Sequence, residues 1–295
     1  MSELSFPLRH HGRCDYVPIH QRSLPPWPGG HRLAVYLALN LEHYAFGEGL
    51  VEDLVPGIPA PDVLNNSWRE YGNRVGAWRL HQMFEALTLP VTLLINSELY
   101  GACPQLVAAF RDSGAEIASH GRTNSQHQAG LAEPEERSLI ELVTQTLARH
   151  EGRAPAGWLS PWIAETALTP DLLQEAGYRY LLDWCMDDQP VWLKTRRGRI
   201  LSVPYPQELN DSAAIIGRQV GAEEFADMIV AQFDEMVEQA RDGQPLVMGV
   251  ALHAMIAGQP FRLRALRRAL KHIAGRREQC WLTTAGAIAD AVIAT

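Results

Sequence analysis

Leu246–Arg262 reads LVMGVALHAMIAGQPFR. Leu246–Leu252 holds only apolar residues and one glycine, so there is nothing to place on a wet face, which predicts a strand buried on both sides. His253 stands at its carboxyl end, just before a Gly-Gln-Pro break. Strands of this kind belong to parallel sheets covered by helices. In a parallel barrel their carboxyl ends share one face, where reactive side chains gather. His253 is therefore a candidate catalytic group, against the plainer alternative of a satisfied loop histidine.

The pattern recurs along the chain. Leu33–Leu39 (LAVYLAL) empties into Asn40, Glu42 and His43, and Ala115–Ser119 (AEIAS) empties into His120. Val91–Ile95 precedes Asn96 and Glu98, Tyr178–Leu182 precedes Asp183, and Ile200–Tyr205 precedes Glu208, Asn210 and Asp211. Helical patterns alternate with these runs at Val75–Leu87, Pro104–Ser113, Pro134–His150, Pro170–Ala176, Glu223–Arg241, Leu263–Ala274 and Ala285–Ile293. Seven or eight strand–helix units predict an α/β fold closed into a parallel barrel rather than an open sheet. The 295 residues are enough for one such domain over 1–295. Residues 1–30, rich in Pro and polar groups, read as an arm over the outside. Residues 46–74 form a connection long enough to serve as a lid at the strand-end face.

Composition excludes several classes. A net charge of −8 with scattered basic residues leaves no footprint for nucleic acid. The run Arg262, Arg264, Arg267, Arg268, Lys271 has helical spacing and reads as a solvated face. The four cysteines, Cys14, Cys103, Cys185 and Cys280, are far apart and form no CxxC pair, which fits a reducing, cytoplasmic setting. No apolar leader or membrane span is read in the sequence, and a small-molecule substrate is the expected partner.

Several motifs carry a family resemblance: EYGNRVGAWRL at 70–80, EIASHG at 116–121, RAPAGWLSP at 153–161, YLLDWCMDDQP at 180–190, VPYPQELND at 203–211 and LHAMIAGQPFR at 252–262. Together they resemble the polysaccharide deacetylase superfamily, and more narrowly its allantoinase and cyclic-imidase branch. The resemblance implies a distorted (β/α)7 barrel of the NodB-like, TIM-like type, hydrolysis of an amide carbon–nitrogen bond in a small cyclic ureide or imide, and a homotetramer. In the deacetylases of that superfamily the first strand ends in a base and a metal-binding aspartate, and the third in two histidines four residues apart. Here Asn40 stands for the base, Glu42 for the aspartate and His120 for the first histidine, while Asn124 replaces the second. Arg153 matches an arginine that positions the missing base.

Those differences leave the cofactor open between none and one divalent metal such as zinc on Glu42, His120 and Asn124. A carboxamide is a weak ligand, although His127, seven residues on, would share a face with His120 if the segment were helical. Without metal, Glu42 is the natural general base and His253 the general acid, held as imidazolium by a carboxylate: Asp183, Asp187 or Asp188. The Asp187-Asp188 pair reads equally as a turn. Asn40 could donate to the substrate carbonyl or oxyanion, or simply cap a strand end. Trp158 and Ser160 could offer a wall and a hydroxyl to a planar ring, Arg74 a bidentate pair, and Arg262 a means of orienting the His253 loop. Two other readings remain: a metal-dependent carbohydrate N-deacetylase, and a decayed homologue that binds a small molecule without turnover.

Overall fold

The computed structural model describes residues 10–295. Nine strands form one sheet: β1 (Leu33–Leu41), β2 (Val91–Ile95), β3 (Glu116–Ser119), β4 (Gly157–Trp158), β5 (Tyr180–Leu181), β6 (Val191–Thr195), β7 (Gly198–Ser202), β8 (Leu246–His253) and β9 (Trp281–Thr283). The order is β6-β7-β5-β4-β3-β2-β1-β8, with β9 on β1. β8, β1, β2, β3, β4, β5 and β7 are parallel neighbours, the seven strands of a curled, distorted barrel. Past β7 the chain returns to β8 through a parallel bridge between Asn210 and Ala251. β6, antiparallel to β7, and β9 are additions that the apolar runs did not signal.

All nine residues of β1 and all eight of β8 are buried. Strand alternation divides them. Leu33, Val35, Leu37, Leu39 and Leu41 pack outward under the helices, while Ala34, Tyr36 and Ala38 face the barrel interior with Leu94, Ala118, Leu201, Val203, Val247 and Ala251. A fully buried Leu or Val contributes about 1.5–3 kcal/mol, so a register slip that exchanged the two faces would be heavily penalised. The same parity, carried past each interior run, aims Asn40 and Glu42 from β1, Asn96 after β2, His120 after β3, Tyr205 after β7 and His253 from β8 into one mouth.

Helices cover the outside. Glu133–Glu151 has Pro134 and three acidic residues in its first turn and leaves through Gly152 at φ 71. The connection after β1 is shorter than 46–74. The Asp62 carboxylate accepts the Asn65 backbone N–H at 3.0 Å and caps a helix over Val63–Tyr71, leaving only the stretch before Asp62 as a loop. That helix runs on through a wide turn, Gly72–Gly76, into Ala77–Ala86. Side chains at Gly72 and Gly76 would collide with the backbone of Met255 and Ala254, so this glycine pair lets the helix lie directly on the turn that follows His253.

The described part of the N-terminal arm lies along the outside. The Arg13 guanidinium bonds Asp171, Arg22 pairs with Asp187 at 2.7 Å, and the buried Trp27 indole donates to the Leu246 carbonyl at 2.9 Å. The first nine residues of the arm lie outside the described residues. Among the described residues no helix is long and apolar enough to cross a membrane.

Candidate active site

A cavity of about 170 Å³ opens at the mouth, with Asn40, Glu42, His120, Ser160, Tyr205 and His253 in its wall. Glu42 is its centre. Oε1 lies 3.5 Å from His120 Nε2 and 3.6 Å from His253 Nε2, while Oε2 accepts the Tyr44 hydroxyl at 2.6 Å. Burial works to raise the Glu42 carboxyl, but the His253 charge and the bonds from His120 and Tyr44 outweigh it and hold the group below its ordinary value.

His253 is held from behind by Asp211. Its Nδ1 meets Asp211 Oδ1 at 2.7 Å, and its backbone N–H reaches both carboxylate oxygens at 3.0 Å. Burial opposes the imidazolium, yet Glu42 and Asp211 together raise it to about 10. It is therefore protonated at neutral pH, Nδ1–H toward Asp211 and Nε2–H toward Glu42. This corrects the expectation that Asp183, Asp187 or Asp188 supports His253. Asp183 accepts the Ser160 N–H and O–H, both at 2.7 Å. Asp187 pairs with Arg22 and accepts the Gln189 N–H at 3.0 Å, which is the turn alternative. Asp188 has no bond to the histidine; its backbone carbonyl accepts the Val247 N–H at 2.8 Å.

Asp183 has a further neighbour that sequence reading missed. Glu165 accepts the Trp184 indole N–H at 2.8 Å, and burial together with the Asp183 charge pushes its carboxyl up to about 10. Glu165 is half-buried with no hydrogen-bond partner for Oε2, and it stays protonated at neutral pH near Asp183.

Other expectations need correction. The indole N–H of the fully buried Trp158 donates to Ser160 Oγ at 3.0 Å and its ring packs edge-on to Tyr178, so Trp158 is core beneath the pocket rather than its wall. Ser160 does line the cavity. Arg74 is exposed and outside it. Arg262 reaches the Ile256 carbonyl at 3.5 Å and lies over the Phe261 ring, outside the cavity as well. Arg153 is exposed. Asn40 cannot serve as an oxyanion donor, because Nδ2 already gives its hydrogens to the Tyr205 hydroxyl at 3.1 Å and the Leu252 carbonyl at 3.2 Å.

The proposed metal set does not fit a divalent ion as arranged. The Asn124 carboxamide oxygen accepts from Asn96 at 3.2 Å, and its nitrogen is turned toward the Tyr44 hydroxyl at 3.3 Å. That leaves Glu42 and His120 as the two members of the set facing the cavity with strong donor atoms. The segment after His120 forms no helix, so His127 does not share a face with it. Among the described residues no group of three His, Cys, Asp or Glu side chains is placed to hold a metal.

Besides Asp211 and Glu165, the structure adds Glu52, Tyr205 and Trp162 to the site. Glu52 comes from the loop after β1 and is bound to the Ser212 hydroxyl; burial, then the Glu42 charge, raise its carboxyl despite the opposing pull of His253. Trp162 hangs over the cavity on a left-handed backbone (φ 63), followed by Ile163 at φ 53, and its indole donates to the Asn124 carbonyl at 2.8 Å. Two successive residues in that region mark a turn that the surroundings must hold in place, a common feature of binding sites.

Residues 70–181 match the polysaccharide deacetylase family. A protein of Schizosaccharomyces pombe, whose name assigns it provisionally to the polysaccharide deacetylases, is 26% identical over 90% of this chain and 92% of its own. Two solved structures superpose with TM-scores of 0.82 at 26% identity. One is a probable polysaccharide deacetylase of Pseudomonas aeruginosa, covering 92% of this chain and 94% of its own; the other is the allantoinase PuuE, covering 96% and 99%. The fold and these similarities together place the chain among hydrolases that act on carbon–nitrogen bonds. The chain thus carries a match to the polysaccharide deacetylase domain over residues 70–181, and its structural neighbours include both a probable deacetylase and an allantoinase.

Proposed function

We propose that this protein opens small cyclic amides, of the imide, hydantoin or ureide type, by adding water across the ring carbon–nitrogen bond. The observation that carries the reading is Glu42 Oε1 set 3.6 Å from an imidazolium that Asp211 holds charged. Water gives a proton to Glu42 as its oxygen bonds to the ring carbonyl carbon. The carbon–nitrogen bond then breaks while His253 Nε2 protonates the departing nitrogen. Glu42 returns its proton to His253, which restores the resting pair. Asp211 offsets charge and fixes the ring orientation throughout.

Cavity size and one structural neighbour support the same substrate class. About 170 Å³ lies below the roughly 300–1,000 Å³ of pockets for drug-sized ligands, and it suits one small ring better than a run of sugars. PuuE, an allantoinase, shares the fold over nearly the whole chain. The test is a panel on chelator-treated protein: ring opening of succinimide, dihydrouracil and allantoin against acetate release from N-acetylglucosamine oligomers. Ring opening without acetate is expected. Acetate release alone would overturn the reading in favour of carbohydrate N-deacetylation.

A further inference from the structure

The cavity wall contains a hydrogen-bond acceptor that no protein group uses. Asn40 is 1% exposed. One of its Nδ2 bonds goes to the Leu252 carbonyl, which can only accept, so the orientation of the carboxamide is settled. The other goes to the Tyr205 hydroxyl, leaving Oδ1 buried with no partner. Buried carbonyl oxygens are rarely left unpaired. Tyr205, which accepts from Asn40 and lines the same cavity, keeps its own hydroxyl hydrogen to give. An unused acceptor and an unused donor thus belong to two cavity residues bonded to each other at 3.1 Å.

A small ring forces its amide to be cis, so N–H and C=O lie along one edge as a donor beside an acceptor. That edge is the complement of Asn40 Oδ1 beside the Tyr205 hydroxyl. We propose that these two groups read the N–H/C=O edge of the ring, which narrows the substrate class to rings whose amide nitrogen is unsubstituted. Asn40 is also the register partner of His253 across β1 and β8, so a ring nitrogen seated on Oδ1 is delivered beside the imidazolium. The inference rests on the ring-opening reading, and its test can fail separately.

Binding of 2-piperidone and δ-valerolactone to the intact protein is compared by calorimetry; the two rings differ only by N–H against oxygen. Turnover of succinimide and N-methylsuccinimide is compared alongside. The N–H ring should be preferred by at least about 100-fold in each pair, the scale on which sites built to bond a polar hydrogen reject analogues lacking it. Asn40→Leu, similar in size, should bring the succinimide rate down about 100-fold toward that of the methylated ring. Tyr205→Phe should slow both imides about tenfold and leave their ratio unchanged. Equal binding of lactam and lactone would overturn the proposal. So would an Asn40→Leu variant that keeps the wild-type ratio, because the methyl group would then be excluded by bulk alone. N–H preference without ring opening of any substrate would overturn the ring-opening reading and leave the edge recognition standing.

Discussion

Asp211→Asn is the substitution that most sharply tests the acid at the centre of the site. Asp211 is fully buried and spends both oxygens on His253. Raising the imidazolium from 6.5 to about 10 corresponds to about 5 kcal/mol in favour of its charged form. The Glu42 charge contributes beside Asp211, which acts through both its charge and its hydrogen bond, so at least on the order of 2 kcal/mol, or roughly 1.5 pH units, rests on Asp211. The carboxamide keeps the size and one acceptor but removes the charge. His253 donates as a cation, so activity is present below its pKa and lost above it. The alkaline limb of kcat/KM, near pH 10 in the wild type, should therefore fall to about 8.5 in the variant. The assay is a pH–rate series on dihydrouracil from pH 5 to 10.5, with folding checked by circular dichroism at each end. Stability carries the same sign: the contribution of a raised histidine is complete below about 6.5 and is lost as pH climbs to about 10. An alkaline limb left in place, with the wild-type rate at pH 9, would refute this assignment of Asp211.

Two other substitutions probe what surrounds the site. Glu165 is protonated in the fold up to about 10 but ionised above about 4.5 once unfolded, so its contribution to stability is complete below about 4.5 and lost as pH rises toward 10. Glu165→Gln keeps the size and an acceptor for the Trp184 indole without that loss, so thermal melts should show the variant gaining on the wild type by on the order of 2 kcal/mol at pH 8 and by almost nothing at pH 4.5; an equal difference at both would contradict a raised Glu165. Gly76→Ala drives a methyl into the Ala254 carbonyl, and should cost about 1–3 kcal/mol in urea denaturation and slow turnover through the His253 turn. Wild-type stability would show that the two segments separate easily.

The parts legible in the sequence were those that continuous apolar runs mark. Apolar runs located β1, β2, β3, β5, β7 and β8, and the face shared by parallel strand ends then put Asn40, Glu42, His120 and His253 at one mouth. The two-residue β4 is too short to show a period, and β6 mixes exposed with buried positions. Asp211 stood in view at the end of VPYPQELND, but its bond to His253 spans 42 residues and depends on the bridge from Asn210 to Ala251. Asp183 was the nearer-looking choice until Ser160 took both of its oxygens. Glu52 and Trp162 sit on irregular segments without periodicity, so only the folded chain reveals that they face the pocket. Asp62, three residues before Asn65, was a readable helix cap inside the supposed lid.

Glu42→Gln tests the central claim most directly, with ring opening and ligand binding measured on one preparation. Glutamine keeps the size and the contact with Tyr44 but cannot take a proton from water, so turnover should fall on the order of 10²–10⁴-fold while affinity for the lactam changes only a few-fold. Turnover near that of the wild type would contradict the account.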